Sequence, residues 1–256
     1  MCLGLGCCGQ VTPFRLPPLE QGLAGSGLLS SCEGSSVLPT SSEPDEGMRA
    51  ILYHSATTSP SELAQFGLRF FGGSKRYLWS ADIHRNGWQG HNTYQIRAGL
   101  SLPLKEHRMG VRLCAEQWFP TEGRIPYRLY PEIALWSTST GKWNYGFVLS
   151  NPIRSRWSNE GPKTAMVATA GIQYQLLTDL VLTGSWRVSD SKNRTSIGAE
   201  WKAKPFWGFV IGLSADNNWG SIGWWINNGH WRLHSSIQFN QFLGWGYQIG
   251  LLYFFY

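Results

Sequence analysis

Apolar and polar residues alternate along most of this chain. Met166, Ala168, Ala170, Ile172, Tyr174 and Leu176 are apolar, with Thr169, Gln173 and Gln175 between them. Leu180, Leu182, Gly184, Trp186 and Val188 alternate with Thr183, Ser185 and Arg187, and Trp231, Leu233, Ile237 and Phe239 with His230, Arg232, His234, Ser236 and Gln238. A period of two places successive side chains on opposite faces of an extended strand. The pattern predicts about fourteen strands, over residues 49–57, 63–72, 76–85, 92–104, 109–118, 128–138, 143–151, 165–176, 179–189, 195–203, 206–215, 219–227, 230–240 and 245–256. Most are of the length that a tilted strand needs to cross a bilayer.

The last residues, WGYQIGLLYFFY, keep the pattern to the end of the sequence. An aromatic edge strand left bare pairs with neighbours and aggregates. A closed ring removes the edge, so Phe254, Phe255 and Tyr256 are expected in a strand that closes a barrel against the first one. The phase is unusual, because Tyr256, Phe254 and Leu252 share a face with Gly250 and Gln248. Either the final residue lies one past the pattern or a bulge shifts it.

The links between segments alternate in length. Gly73–Lys75, Lys105–Arg108, Thr138–Lys142, Leu177–Thr178, Lys204–Pro205 and Asn228–Gly229 are tight, whereas the other set contains the longest links, Pro120–Tyr127 and Pro152–Thr164. Short periplasmic turns and longer outer loops are a property of outer-membrane barrels. The expected fold is therefore all-β: a transmembrane antiparallel up-and-down barrel of about 14 strands in a bacterial outer membrane, with both termini in the periplasm.

Composition agrees. Charged residues are 15% and aromatics 14% with 14 Trp, yet no apolar run approaches the length of a membrane helix. In a barrel the polar face lines the lumen. Arg69, Asp82, Arg97, Arg112, Glu116, Glu132, Arg187, Glu200, Lys202 and Arg232 are expected there, along with Arg128, with opposite charges pairing across the lumen. Trp79, Trp143, Trp207, Trp231 and Trp245, near segment ends, are expected to form the interfacial girdle, as are Tyr77 and Tyr145. The net charge of +6 is scattered, which argues against nucleic acid as a partner. Outer-membrane lipid is the first expected partner.

The beginning of the sequence differs. Residues 1–9 resemble a signal-peptide remnant with cleavage before Gln10, and Cys7 and Cys8 sit in a poor lipidation context. Residues 10–47 are rich in Pro, Gly and Ser and lack a period; they are expected to plug or cap a barrel spanning 48–256. The five cysteines form no framework, with Cys32 and Cys114 as the only internal pair.

Within Leu19–Pro39, Gly22, Ala24, Gly25 and Gly27 form a small-residue run, Glu33 an acidic spot and Pro39 a turn. Leu38 and Thr40 flank that proline in place of Asn and Ala. The arrangement resembles the entry segment of the FadL-like barrels of Bacteroidetes, specifically the PorV and PorQ group of the type IX secretion system. The resemblance implies a non-enzymatic partner subunit of a protein-secretion translocon, working with other secretion-system proteins in a large complex. The alternative it implies is a FadL-like transporter with a hydrophobic ligand. A lateral gap in the wall would favour transport, and a lumen blocked by paired charges would favour secretion.

Chemistry has few candidates. Ser80, Asp82 and His84 share one strand face, but at two-residue spacing they are expected about 6 to 7 Å apart, too far for a nucleophile and its base. His230, Arg232 and His234 make a polar row without a convergent ligand set. Trp219, Trp224, Trp225 and Trp231 are assigned to the membrane girdle rather than to sugar stacking. No catalytic residue, metal site or cofactor is expected.

Overall fold

The computed structural model describes residues 47–57, 64–74, 76–88, 91–119, 125–137, 141–158, 163–190, 192–215, 219–240 and 244–255. The signal-peptide and plug expectations for residues 1–46, Cys32 and the expectation for Tyr256 fall outside these. Fourteen strands follow one another: β1 (Gly47–Thr57), β2 (Ala64–Gly73), β3 (Leu78–Trp88), β4 (His91–Leu104), β5 (His107–Phe119), β6 (Tyr127–Ser137), β7 (Trp143–Ser150), β8 (Val167–Gln175), β9 (Leu180–Ser189), β10 (Lys192–Lys204), β11 (Trp207–Ser214), β12 (Trp219–Asn228), β13 (Trp231–Asn240) and β14 (Gly244–Phe255). Each pairs antiparallel with the next, and β1 pairs with β14, so the sheet closes into a barrel without an edge.

The tight turns take the residues that such turns require. Asn228 and Trp231 face each other across Gly229 and His230, and Gly229 has φ +56°, a left-handed conformation that costs glycine little. The β4–β5 hairpin turns on Lys105, which has φ +53°. Strand boundaries differ from the alternation by at most a few residues, because the ladders extend into flanking polar residues whose side chains carry no period.

Burial reverses the order of a water-soluble sheet. Along β5, Met109, Val111 and Leu113 are 45%, 51% and 58% exposed, while Arg112, Cys114 and Glu116, at the alternate positions, are 4% exposed or less. The same inversion recurs around the ring: Ile96, Ile133, Ile197, Ile211, Ile222 and Ile249 look outward, and Arg69, Asp82, Arg97, Arg128, Glu132 and Glu200 are buried inside. A belt of this extent facing water would be far beyond the apolar patches that soluble monomers expose. Facing acyl chains it costs nothing, and a ring of strands leaves no open sheet edge in lipid. The protein is an outer-membrane β-barrel.

The register settles the phase of the closing strand. β1 and β14 pair without a shift from Met48↔Phe255 to Thr57↔Gly246, so there is no bulge. Trp245, Tyr247, Ile249, Leu251, Tyr253 and Phe255 are exposed on the outer wall, while Gln248 and Leu252 are buried inside and Phe254 packs against the lumenal cluster of Ile51, Tyr53, Phe71 and Leu252.

Candidate functional site: a charged lumenal wall and an interrupted seam

Two features stand out inside this frame. The first is a charged wall on the lumenal face of β1 to β7. Asp82 lies at its centre. Arg97 Nε donates to Asp82 Oδ1, and Arg69 Nε and Arg112 Nη1 stand 3.6 and 3.8 Å from Asp82 Oδ2. His84 Nε2 is 2.7 Å from Asp82 Oδ1, its ring also meets the Arg97 guanidinium, and its Nδ1 is hydrogen-bonded to the Tyr53 hydroxyl. The two-residue separation of Asp82 and His84 does not keep their side chains apart, contrary to the expectation. The 6 to 7 Å repeat applies to the backbone, and side chains that lean along the strand close it. Ser80, the third residue of that row, has a buried hydroxyl with no hydrogen bond among the described residues. A serine nucleophile held by a histidine is therefore not assembled here.

Further ion pairs extend the wall. Arg112 Nε donates to Glu132 Oε2 at 2.6 Å, and Ser150 Oγ to Glu132 Oε1 at 2.6 Å. Arg128 Nε donates to Glu116 Oε2 at 2.7 Å. Gln95 Nε2 donates to the Tyr130 hydroxyl at 2.6 Å. These carboxylates and guanidiniums join adjacent strands (β3 to β4, β5 to β6) and, through Arg112 and Asp82, strands one apart. A fourteen-stranded ring is too wide for two side chains to meet across it. These charged pairs coat the lumenal face of β2 to β6.

Small residues make the longer links possible. Tyr53, Gly67 and His84 stand side by side on β1, β2 and β3. Gly99 lies between Ser80 and Arg112 in the same way, and a Cβ there would come within 3.2 Å of Arg112. Cys114, a buried free thiol, stands between Arg97 and Tyr130.

The other sequence-predicted residues are spread over the ring. Glu200 is 1% exposed on the inner face of β10; Arg187 and Arg232 are half-buried and share the inward parity of β9 and β13. Lys202 is half-buried at the end of β10, where a register shift between Trp201 and Lys204 breaks strand parity. Trp143 and Trp245 are 55% and 58% exposed, and Trp79, Trp207 and Trp231 are half-buried on the outward parity. Trp79, Trp143, Trp207 and Trp231 lie at the rim of short turns, Trp245 at the opposite rim. Trp225 corrects the reading of its run. It is 2% exposed and turned into the barrel, while neighbouring Trp224 looks outward. Two adjacent strand residues cannot share a face, and the indole fits inside because Gly208 stands directly opposite. His234 is buried on the inner face, whereas His230 sits in the turn before β13. Among the described residues no group of three or more His, Cys, Asp or Glu gathers as for a metal ion.

The second feature was not expected. β4 and β5 are paired along their whole length, from Asn92↔Phe119 to Leu104↔His107. β6 and β7 are paired only from Glu132↔Ser150 to Trp136↔Gly146, at the short-turn end. The cause is in the sequence. Pro131 is the next residue of β6, and its carbonyl accepts from Asn151 N at 2.9 Å. In an antiparallel strand the N–H and C=O of one residue point to the same neighbour, so the donor that proline lacks is one that would face β7. Beyond this point the link after β7 takes the place of a strand. Asn151 adopts φ +54°; its side-chain amide donates to Thr164 O, and its Oδ1 accepts from Ser155 N. Ser158 N donates to Tyr127 O at 2.8 Å, and Tyr127 N to Ser158 Oγ. Trp157 is buried, with its ring 4.6 Å from Arg128 Cζ on one side and Tyr130 5.0 Å away from the same carbon. A loop, held by a few bonds and a cation–π contact, thus fills the outer half of the wall between β6 and β7. The signal for it, a proline inside an otherwise regular strand with the longest link after the following strand, was present in the sequence.

No protein-family model matches this sequence, and no curated protein matches it. Among solved structures, the chain is similar to the CymD monoaromatic hydrocarbon channel, with a TM-score of 0.70 at 10% identity over 94% of this chain and 98% of that one. It also matches the KdgM porin, with a TM-score of 0.48 at 9% identity over 81% of this chain and 99% of the porin. A mutant of the Rh. blastica porin gives a TM-score of 0.48 at 8% identity over 82% and 99%. At these identities the first likeness establishes the fold alone.

Proposed function

We propose that this barrel is a channel or transporter for small hydrophobic solutes. The observation that carries the reading is the interrupted seam between β6 and β7. An apolar solute inside the lumen gains about 25 cal/mol for each Å² that it moves from water into an apolar medium. A wall of unbroken ladder denies that exit, whereas one closed by a loop offers it at the cost of a few hydrogen bonds. The charged pairs of β2 to β6 run along the wall that leads to this seam. CymD, with which the barrel shares its fold, is a channel for monoaromatic hydrocarbons, and this suggests the solute class.

The expectation of a secretion-translocon subunit draws no support from these neighbours, which are channels and porins. A non-enzymatic role remains part of the proposal.

The test is uptake of toluene by proteoliposomes. Flux above that of empty vesicles is expected, and its loss when Tyr127→Cys and Ser158→Cys are joined by a disulfide in a background free of other cysteines. Flux that survives the lock places the route elsewhere, and absence of flux in the unlocked protein overturns the proposal.

A further inference from the structure

We infer that the short-turn rim carries a built site for a phospholipid head that bears both a phosphate and a primary ammonium, between the β8–β9 and β10–β11 turns. It stands independently of the transport reading. Its origin is the register shift at the end of β10. Trp201 faces Phe209, but Lys204 faces Trp207, so Lys202 and Ala203 together hold one extra residue. Such a bulge turns side chains away from the alternation and recurs at barrel rims. On the other side of β10 the register with β9 is unshifted, and Lys202 N donates to Asp179 O at 2.7 Å as its next rung, which holds the β8–β9 turn beside the bulge. Beside it lies an open, shallow cleft of about 430 Å³, lined by Thr178, Asp179, Lys202, Ala203, Lys204 and Pro205.

The charges in this cleft are complementary to such a head. Among the described residues neither Lys202 nor Lys204 makes an ion pair or a side-chain hydrogen bond, although Asp179 lines the same cleft. The carboxylate of Asp179 is committed elsewhere, its Oδ2 accepting from Trp201 Nε1 at 3.2 Å. Two ammonium groups and a threonine hydroxyl suit a phosphate. The remaining oxygen of Asp179 suits an ammonium donor. The depth is also that of a lipid head. Trp201 is 48% exposed on the outer wall beside the cleft, and Phe206 and Leu177 are each 57% exposed on its two turns. Aromatic residues at this level mark the boundary between heads and acyl chains. A lipid whose head enters the cleft lays its chains along Trp201 and the outward Leu182. Water-soluble phosphates lack those chains, so the lipid is the proposed occupant.

Native mass spectrometry of the full chain in detergent, delipidated and resupplied with one lipid at a time, tests this. Phosphatidylethanolamine is expected to stay bound at collision energies that remove phosphatidylcholine, whose quaternary ammonium cannot donate to Asp179. Joint Lys202→Gln and Lys204→Gln substitution should lower phosphatidylethanolamine retention roughly tenfold, and Asp179→Asn should abolish the preference between the two lipids. Lys105→Gln, at a rim lysine outside the cleft, should change neither. Equal retention of both lipids by the unaltered protein overturns the inference. So does an equal loss with Lys105→Gln, which would indicate unspecific attraction to a basic rim. Displacement of the lipid by equimolar glycerophosphoethanolamine would assign the cleft to a soluble phosphate and also overturn it.

Discussion

Tyr53 and Gly67 face each other across the β1–β2 ladder, and the tyrosine ring lies on the glycine: a Cβ added at Gly67 would come within 2.3 Å of Tyr53 Cζ. This lets a residue of β1 reach His84 on β3, over the top of β2. The strand that closes the barrel is thereby fastened to the charged wall by a side chain as well as by its ladder. Gly67→Ala should displace the ring and cost about 1–3 kcal/mol. Urea titration in lipid vesicles, followed by the mobility difference between folded and unfolded barrel on gels, measures it. Tyr53→Phe, which keeps the ring and loses only the hydroxyl, should cost less. If Gly67→Ala is neutral, the ring does not occupy that space.

Asp82 is the anion that Arg69 and Arg97 share in the buried wall. Asp82→Ala leaves those guanidiniums buried without it, for which a loss of about 3–5 kcal/mol is expected. Removing Arg97 as well should restore part of the loss, since the second change takes away a stranded charge. A double-mutant cycle in the same titration reports the coupling, and strict additivity would mean that the pair acts as two separate residues.

The outward belt makes a prediction graded by depth. Leu113, half-way along β5, and Leu102, near the end of β4, are both exposed on the outer wall. Leu113→Arg should cost about 2–4 kcal/mol in a bilayer and Leu102→Arg about 0–1 kcal/mol. Equal costs would contradict the placement of the belt around mid-membrane.

Pro131 interrupts the seam, so Pro131→Val should return the missing donor toward β7. The expected outcome is slower toluene entry into proteoliposomes with unchanged or slightly raised stability. Amide hydrogen exchange at Asn151 and its neighbours provides a second readout, with protection rising as the ladder lengthens. Faster entry in this variant would count against a route through the seam.

Alternation carried most of the architecture, because in a barrel every strand has one greasy and one wet face and the period of two is never hidden by burial on both sides. The alternating segments became fourteen strands, and Arg69, Asp82, Arg97, Arg112, Glu116 and Glu132 are buried on them. What alternation cannot express is which inner residues touch. The grouping of Asp82, His84 and Tyr53 depends on register between strands and on the glycine between them. The reach of Arg112 to both Asp82 and Glu132 along the wall depends on the same register. Trp225 was misplaced because a cluster of tryptophans was treated as one population, although adjacent residues must part to opposite faces. The bulge at Lys202 and Ala203 left only a local break in phase, too short to distinguish from the end of a strand.

The closing ladder also has a consequence for how the molecule is made. Thirteen of the fourteen strand pairings join consecutive strands and can form as local hairpins, but the last joins Met48 to Phe255. Before that contact forms, both outer strands carry open edges in a solvent that cannot satisfy them, and contacts between distant positions are the slow ones to form. Biogenesis should therefore pass through a nearly complete but still open sheet, and whatever shields β1 and β14 at that moment sets the rate at which the ring is sealed.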